Sequence, residues 1–168
     1  MNTPILSIVG RSNSGKTTLL EKLIAELTNH GLRIGTIKHS HHQPSLDTPG
    51  KDSWRHKQAG AAAALLVGSR QMQLVADLHI GEEAAPRELA ARLFTGMDLV
   101  LLEGYGGMPG PKIEVVRAAC ASTMRHADDE GLIAVASDVT CLDTALPCFG
   151  LDDTAALTRF VLAWRQAQ

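Results

Sequence analysis

The 168-residue sequence predicts an α/β fold: a mostly parallel β-sheet with helices on both faces and a β-hairpin insertion. Short apolar runs alternate along the chain with segments whose apolar residues recur at helical spacing, which is typical of parallel sheets covered by helices. A glycine-rich segment, residues 10–17, joins the first apolar run to the first helical segment. Two further apolar runs are separated only by the turn residues 68–71, which predicts the hairpin.

Local signals set the order and the ends of the predicted elements. Gly31 favours the left-handed conformation that ends the first helix, and Pro86 suits the first turn of the third. Asp152 and Asp153 precede the last helix, where acidic groups interact favourably with the helix dipole. The predicted strands span residues 5–9, 33–38, 64–67, 72–76, 98–102, 112–116 and 132–137, and the predicted helices span residues 18 to about 30, 53–58, 86–93 and 154–167.

The segment between the first strand and the first helix carries the strongest functional signal. It fits the pattern Gly-x-x-x-x-Gly-Lys-Thr, and its position between a strand and a helix predicts a P-loop NTPase fold. Backbone N–H groups and the helix N-terminus would bind phosphates, Lys16 would reach the terminal phosphates, and the Thr17 hydroxyl would bind Mg²⁺. A tight glycine turn with an incidental lysine is the alternative. The residues predicted to bind nucleotide are Gly10, Arg11, Ser12, Asn13, Ser14, Gly15, Lys16, Thr17 and Thr18.

Ligands collect at the carboxyl ends of parallel strands, and Glu103 follows the buried run 98–102. A carboxylate at this point would hold Mg²⁺ or position the water that attacks the γ-phosphate, whereas an exposed loop glutamate is the alternative. We predict Glu103 as a catalytic group and a Mg²⁺ ligand.

The long polar loop after the second strand contains Asp47 and Asp52. Mg²⁺ prefers carboxylates with some waters retained, so either side chain could complete its coordination. Asp52 also lies beside the start of the short helix 53–58, and a solvated charged loop is the simpler interpretation of both residues. We predict Asp52 as a catalytic group, and Thr17, Asp47, Asp52 and Glu103 as the Mg²⁺ ligands.

The nucleotide base is less well defined by the sequence, which lacks an Asn-Lys-x-Asp guanine signature. Asp138 follows the predicted strand 132–137, and its carboxylate could accept hydrogen bonds from the N1 and N2 groups of guanine. An aspartate that starts a turn is the alternative, so the residues alone leave the choice between GTP and ATP open.

Composition gives no reason to expect nucleic acid or a membrane as a partner, and it predicts the state of the cysteines. The formal net charge of -2 gives no electrostatic reason to expect nucleic acid or an anionic membrane surface. The sequence shows no signal-peptide pattern and no apolar run long enough to span a bilayer. An odd number of cysteines without a Cys-x-x-Cys pair predicts reduced thiols in a cytoplasmic protein; they are Cys120, Cys141 and Cys148.

Taken together, these segments resemble the molybdopterin-guanine dinucleotide biosynthesis protein B family. Gly-Lys-Asp-Ser at 50–53 and Glu-Gly-Tyr at 103–105 are far more specific than the phosphate loop, which countless NTPases share. The family commonly has a lysine directly after the Glu-Gly-aromatic triplet, where this chain has Gly106, with Lys112 nearby. The matching segments are 10–18, 37–39, 47, 50–53, 59–61, 98–105 and 111–115, in the expected order.

The resemblance implies that residues 1–168 form a single cytoplasmic GTP-binding domain, usually a homodimer, with GTP and Mg²⁺ as cofactors and weak GTPase activity. It implies an adaptor that assists the molybdenum cofactor guanylyltransferase, which joins GMP to molybdopterin, and molybdopterin itself is a further candidate partner. Spacing marks no arginine or glutamine as a potent hydrolytic group, which fits an adaptor. Arg11 lies inside the loop and could approach the phosphates of a neighbouring subunit.

Two other functions are compatible with the residues. A metal-delivery GTPase of the nickel-maturation type would use His39, His41 and His42, although closely spaced histidines on one loop make a poor metal site without ligands from another element. No Cys-Pro or Cys-His pair accompanies them. A small-molecule kinase would share the loop and the sheet but would need an arginine-rich lid, which the sequence does not show.

Overall fold

The computed structural model describes residues 3–40, 48–78, 85–140 and 142–168, which contain eight strands and four helices. The strands are β1 (Ile5–Gly10), β2 (Ile34–Lys38), β3 (Ala63–Val67), β4 (Met72–Ala76), β5 (Leu99–Glu103), β6 (Lys112–Val116), β7 (Leu132–Ser137) and β8 (Cys148–Gly150). The helices are α1 (Lys16–Asn29), α2 (Asp52–Gln58), α3 (Pro86–Leu93) and α4 (Thr154–Gln166). The described residues divide into two compact units, the first made of residues 3–39, 86–140 and 142–168 and the second of residues 40, 48–78 and 85.

The first unit is built on a parallel sheet, as the sequence predicts. Six strands run in the order β2-β5-β1-β6-β7-β8, and every pairing between described strands of this sheet is parallel. β1 therefore lies between β5 and β6, and the loop that follows it is flanked by the carboxyl ends of both neighbours. This is the edge of a parallel sheet where ligands bind.

Helices α1 and α4 cover one face of the sheet and form the main core. Leu6 and Ile8 of β1 and Leu23 of α1 are fully buried in this core. Leu157 and Val161 of α4 join the same cluster. Burying each of these side chains contributes about 1.5–3 kcal/mol, so this face supplies most of the apolar stabilisation of the unit.

Helix α3 and a polar segment cover the other face, which confirms the prediction of helices on both sides. Ala90 of α3 packs against Val100 and Leu102 of β5. Beside them, Lys112 and Glu114 of β6 are 1% exposed and face loop residues rather than a helix.

These buried charges hold residues 125–131 against the sheet. The Lys112 ammonium pairs with Asp129 at 2.9 Å, and the Glu114 carboxylate accepts hydrogen bonds from the backbone N–H groups of Arg125 (2.7 Å) and His126 (3.0 Å). Lys112 is paired with Ser7 in the register between β6 and β1, at the opposite end of β6 from the phosphate loop. Lys112, which lies near Gly106 in the sequence, is therefore not placed at the phosphate loop.

Asp98 connects three elements at the amino edge of the sheet. Its carboxylate accepts a hydrogen bond from the backbone N–H of Arg33 at 2.8 Å, just before β2. The guanidinium of Arg165, in the last turn of α4, donates to the carboxylate of Asp98 at 3.0 Å and to its carbonyl oxygen at 2.9 Å. The end of α4 is thus tied to the starts of β2 and β5.

The second unit contains α2 and the predicted hairpin, which the structure confirms. β3 and β4 pair antiparallel in the register Leu65–Leu74 and Val67–Met72, closed by a hydrogen bond from the Gly68 N–H to the Gln71 carbonyl oxygen. Side chains on opposite residues of a pair share one face of the hairpin. That face is apolar and open: Leu65, Val67, Met72 and Leu74 are 56, 70, 69 and 44% exposed, respectively.

Candidate nucleotide-binding site

The loop between β1 and α1 has the backbone geometry of a phosphate cradle. Gly10 (φ 138°) and Gly15 (φ 93°) adopt conformations that L side chains rarely adopt, and a Cβ at Gly10 would collide with the carbonyl oxygen of Val115. Glycine is therefore required at both ends of the loop. Because Gly15 is the N-cap residue of α1, no side chain caps the first N–H groups of the helix, and these donors can bind an anion.

Lys16 spans the loop from the first turn of α1. Its ammonium donates to the carbonyl oxygens of Arg11 at 2.6 Å and Gly10 at 3.2 Å. Burial lowers the pKa of Lys16, while the neighbouring Glu103 carboxylate acts in the opposite direction. A charge that burial destabilises gains more from an incoming phosphate than a fully solvated one would.

Thr17 and Glu103 meet as the sequence predicts. The Thr17 hydroxyl donates to Glu103 Oε1 at 2.8 Å, which joins the start of α1 to the end of β5. Both groups offer hard oxygen atoms, the donor type that Mg²⁺ prefers, so these two residues fit the ion.

Lys38 belongs to the same group of side chains, although strand-end reasoning gave it no role of its own. Its ammonium lies 3.1 Å from Glu103 Oε1, because Lys38 and Glu103 are register partners on β2 and β5. A cleft of about 500 Å³ opens between these residues and the loop; it is lined by Ser12, Asn13, Gly15, Lys16, Thr17, Thr18, Lys38 and Glu103. This volume falls in the range of small-molecule sites.

Arg117 supports the phosphate loop through a hydrogen bond to its backbone. This residue was not identified from the sequence. Its Nε donates to the carbonyl oxygen of Ser14 at 3.2 Å, and a Cβ at Gly15 would lie 3.0 Å from its Nη2. A second contact comes from the Cys120 thiol, which donates to the carbonyl oxygen of Asn13 at 3.4 Å. Arg117 directly follows β6, so the rule that identified Glu103 at the end of β5 could have found it.

Asp138 lies at the carboxyl end of β7, beside the loop. Its Oδ1 accepts a hydrogen bond from the Ala118 backbone N–H at 2.6 Å. The side chain lines a cavity of about 130 Å³ whose other walls include Gly15, Thr18 and Arg117. The Lys22–Asp152 ion pair, with 2.7 Å between Nζ and Oδ1, forms a further wall of this cavity.

The other two predicted Mg²⁺ ligands do not belong to the described part of the first unit. Asp47 lies outside the described residues. Asp52 belongs to the second unit, where it is the first residue of α2 and lies 4.0 Å from Arg55. That position agrees with the alternative interpretation of Asp52 as a helix-start residue, whereas its catalytic role stays a prediction.

The histidine cluster is described only at His39. The His39 ring packs against the ring of Tyr105 with 5.1 Å between centroids, and His41 and His42 lie outside the described residues. Among residues 3–40, 48–78, 85–140 and 142–168, no group of three or more His, Cys, Asp or Glu side chains is placed to hold a metal ion.

At Gly106, where the chain departs from the family pattern, the ring of His126 lies directly against the backbone. A Cβ at this position would lie 2.6 Å from Cε1 of His126, so the imidazole fills the space that a side chain would need. A lysine at position 106 therefore requires His126 to move.

A parallel sheet with a glycine loop after its central strand, a lysine and threonine at the helix start, and a glutamate ending the adjacent strand defines a P-loop nucleotide-binding protein. The sequence profile of the family "Molybdopterin guanine dinucleotide synthesis protein B" matches residues 5–138, and the chain belongs to this family. In the part of the chain that the structure describes, no helix is long and apolar enough to cross a membrane.

Two similar proteins align with most of the chain. The "Molybdopterin-guanine dinucleotide biosynthesis adapter protein" of Escherichia coli strain K12 is 39% identical over 98% of this chain and 95% of its own length. The protein of that name from Haemophilus influenzae is 40% identical over 80% of this chain and 75% of its own length. A crystal structure described as molybdopterin-guanine biosynthesis protein B superposes with a TM-score of 0.78 at 26% identity, covering 96% of this chain and 99% of the other.

Proposed function

We propose that this chain is a GTP-binding adaptor in molybdenum cofactor biosynthesis, which assists the guanylyltransferase that forms molybdopterin guanine dinucleotide. The observation that carries the proposal is the complete phosphate cradle. It occurs in a chain of which 98% aligns with the Escherichia coli adapter protein. The cytoplasmic location and the single-domain organisation expected from the resemblance belong to the same proposal.

The triphosphate would bind in the cleft beside the loop. The uncapped N–H groups of α1 and the positive end of the helix dipole favour its negative charge. Lys16 would exchange the carbonyl oxygens of Gly10 and Arg11 for phosphate oxygens, which form stronger, charge-assisted hydrogen bonds. Arg117 would keep the loop in its binding conformation through the Ser14 carbonyl oxygen.

Mg²⁺ would be held by Thr17 and Glu103, whose oxygen atoms fit the ion. When bound, it would neutralise charge on the phosphates and position them. Glu103 is the nearest candidate for orienting an attacking water. The Nε of Arg117 is already engaged with the loop backbone, which is consistent with slow hydrolysis.

The guanine base would enter the cavity beside Asp138, which shares Gly15 and Thr18 with the phosphate cleft. The bond from the Ala118 N–H fixes Asp138 Oδ1, and the other carboxylate oxygen would accept from N1 and N2 of guanine. Adenine lacks this pair of donors, so the arrangement supports a preference for GTP over ATP.

Calorimetric titration with GTP and ATP, with and without molybdopterin, tests the proposal. We expect GTP to bind at least about tenfold more tightly than ATP, since one lost charge-assisted hydrogen bond costs about 1.5 kcal/mol or more. Asp138→Asn should reduce this ratio while leaving ATP affinity unchanged. Equal affinity for the two nucleotides in the native protein would refute the assignment of Asp138, and the absence of nucleotide binding would refute the proposal as a whole.

The homodimer would form through the apolar face of the hairpin, which consists of Leu65, Val67, Met72 and Leu74. A two-stranded sheet is only marginally stable alone, and its unpaired edges and open apolar face suit pairing with the same hairpin of a second copy. Leu65→Glu should shift the mass measured by analytical ultracentrifugation from dimer to monomer. Leu93→Glu, at a leucine of α3 that is 48% exposed, is the matched control; an unchanged dimer in the Leu65 variant would exclude this surface.

A further inference from the structure

One oxygen of Glu103 serves two donors in the cleft. Glu103 Oε1 accepts from the Thr17 hydroxyl at 2.8 Å and lies 3.1 Å from the Lys38 ammonium. The Glu103 side chain is 14% exposed, whereas that of Lys38 is 60% exposed. The carboxylate is therefore fixed in place, and the lysine is the member of the pair that can move.

The register of the sheet places Lys38 next to Glu103. β2 and β5 pair in parallel with Lys38 opposite Glu103, so the two side chains leave the same edge of the sheet from adjacent strands. Lys38 also lines the cleft together with Lys16 and Thr17. Its charge acts on Lys16 as well, where it lowers the pKa of that ammonium in addition to the effect of burial.

A divalent cation held by Thr17 and by Glu103 through Oε1 would compete for the oxygen that Lys38 contacts. A second positive charge about 3–4 Å from an ammonium is strongly unfavourable where solvent screening is incomplete. The ion pair therefore opposes metal binding at Glu103 Oε1, and each of the two interactions weakens the other by the same coupling free energy.

We propose that Lys38 is a positioning residue that competes with Mg²⁺ for Glu103, so that it weakens the dependence of nucleotide binding on Mg²⁺. This inference rests on the proposed GTP site. While Lys38 is paired with Glu103, it neutralises a carboxylate that would otherwise repel the triphosphate, and nucleotide can bind without the metal. Binding of Mg²⁺ at Glu103 Oε1 would require Lys38 to leave this oxygen.

The test compares the dissociation constant of a fluorescent, non-hydrolysable GTP analogue in EDTA with that in saturating Mg²⁺. The ratio of the two constants measures the coupling between metal and nucleotide. In Lys38→Met we expect this ratio to rise about fivefold, the size expected for a partly exposed ion pair. Two effects raise the ratio. Nucleotide affinity in EDTA falls because Glu103 is no longer neutralised, and affinity in Mg²⁺ rises because the metal no longer has to displace a lysine.

Lys38→Arg, which retains the charge, should keep the native ratio, and Lys38→Gln should behave like the methionine variant. Arg159→Met removes a positive charge from an exposed position on α4 and is the matched control. A ratio that is unchanged within about twofold in Lys38→Met, or that falls, would overturn the competition. A purely structural role of Lys38 would weaken binding equally in EDTA and in Mg²⁺. Failure of the native protein to bind the analogue under either condition would instead refute the GTP site.

Discussion

The first unit contains two groups of polar side chains that differ in how their bonding is arranged. At the carboxyl edge of the sheet, Thr17, Lys38 and Glu103 meet in an open cleft, and one carboxylate oxygen is shared by two donors. On the face beside β6, Lys112 and Glu114 are buried, and each has fixed partners in residues 125–131.

The difference separates exchangeable contacts from permanent ones. Lys112 and Glu114 are 1% exposed, so losing a partner leaves a charge that water cannot reach. Lys38 is 60% exposed, so water can replace its partner at little cost. Charged groups in the cleft are therefore suited to changing ligands, whereas the buried groups fix residues 125–131 against the sheet.

Lys16→Ala should have the largest effect on the cleft. Loss of its charge-assisted hydrogen bonds to the phosphates should cost about 4 kcal/mol, or roughly a 1,000-fold loss of GTP affinity in calorimetry. The midpoint of thermal unfolding should change little, because the bonds that Lys16 makes to the loop carbonyl oxygens are partly exposed. Tight GTP binding in this variant would refute the proposed cradle.

Asp129→Asn, in the buried group, should lower the stability of the protein and leave its GTP affinity nearly unchanged. It leaves the Lys112 ammonium without a counter-charge, which should lower the free energy of unfolding in urea by about 3 kcal/mol. GTP affinity of the folded protein should stay within about twofold of native, since Lys112 lies at the far end of β6 from the phosphate loop.

The double variant Lys112→Met with Asp129→Leu serves as the control for Asp129→Asn. Replacing both members of a buried ion pair by apolar side chains is often neutral, so much of the lost stability should return. Equal destabilisation in the single and double variants would show that packing, and not an unpaired charge, causes the effect.

Glu103→Ala tests whether the open group serves hydrolysis more than binding. Turnover of GTP at saturating Mg²⁺ should fall about 30-fold, the effect of losing roughly 2 kcal/mol of stabilisation. The Lys16 variant, by contrast, loses binding itself. A Glu103 variant that hydrolyses GTP at the native rate would remove Glu103 from the catalytic role.

The smallest expected effect is the pH dependence of stability that Asp129 contributes. Its hydrogen bond from Lys112 holds the pKa of this carboxyl below the ordinary value of 3.8. Because the folded pKa is depressed, the stabilisation is complete above pH 3.8 and is lost as the pH falls through the folded value. Urea unfolding at successive pH values below 5 should show this slope in the native protein and a shallower one in Asp129→Asn; identical slopes would contradict it.

The sequence was sufficient for the cradle because its chemistry is local. Gly10, Gly15, Lys16 and Thr17 lie within one short segment, and their roles follow from backbone conformation and position at a helix start. Glu103 could be predicted because it ends an apolar strand. The parallel sheet and the hairpin also followed from apolar patterns.

The residues that sequence reasoning missed depend on tertiary neighbours. Strand β8 (Cys148–Gly150) is too short to show an apolar pattern, and it forms because β7 offers it an edge. Lys112 and Glu114 look like the exposed charges of an ordinary surface strand until the segment 125–131 folds over them. The role of Lys38 depends on the register between β2 and β5, which no motif specifies.

The hydrogen bonds between Arg165 and Asp98 have a consequence for folding of the chain during its translation. α4 supplies Leu157 and Val161 to the core that also buries Leu23 of α1, and Arg165 anchors its last turn. On the ribosome, α1 is made long before α4, so the side of α1 that packs against α4 stays uncovered until α4 has also emerged. Nascent chains that stop before Arg165 lack the anchor to Asp98, and we expect them to expose this surface to chaperones and proteases.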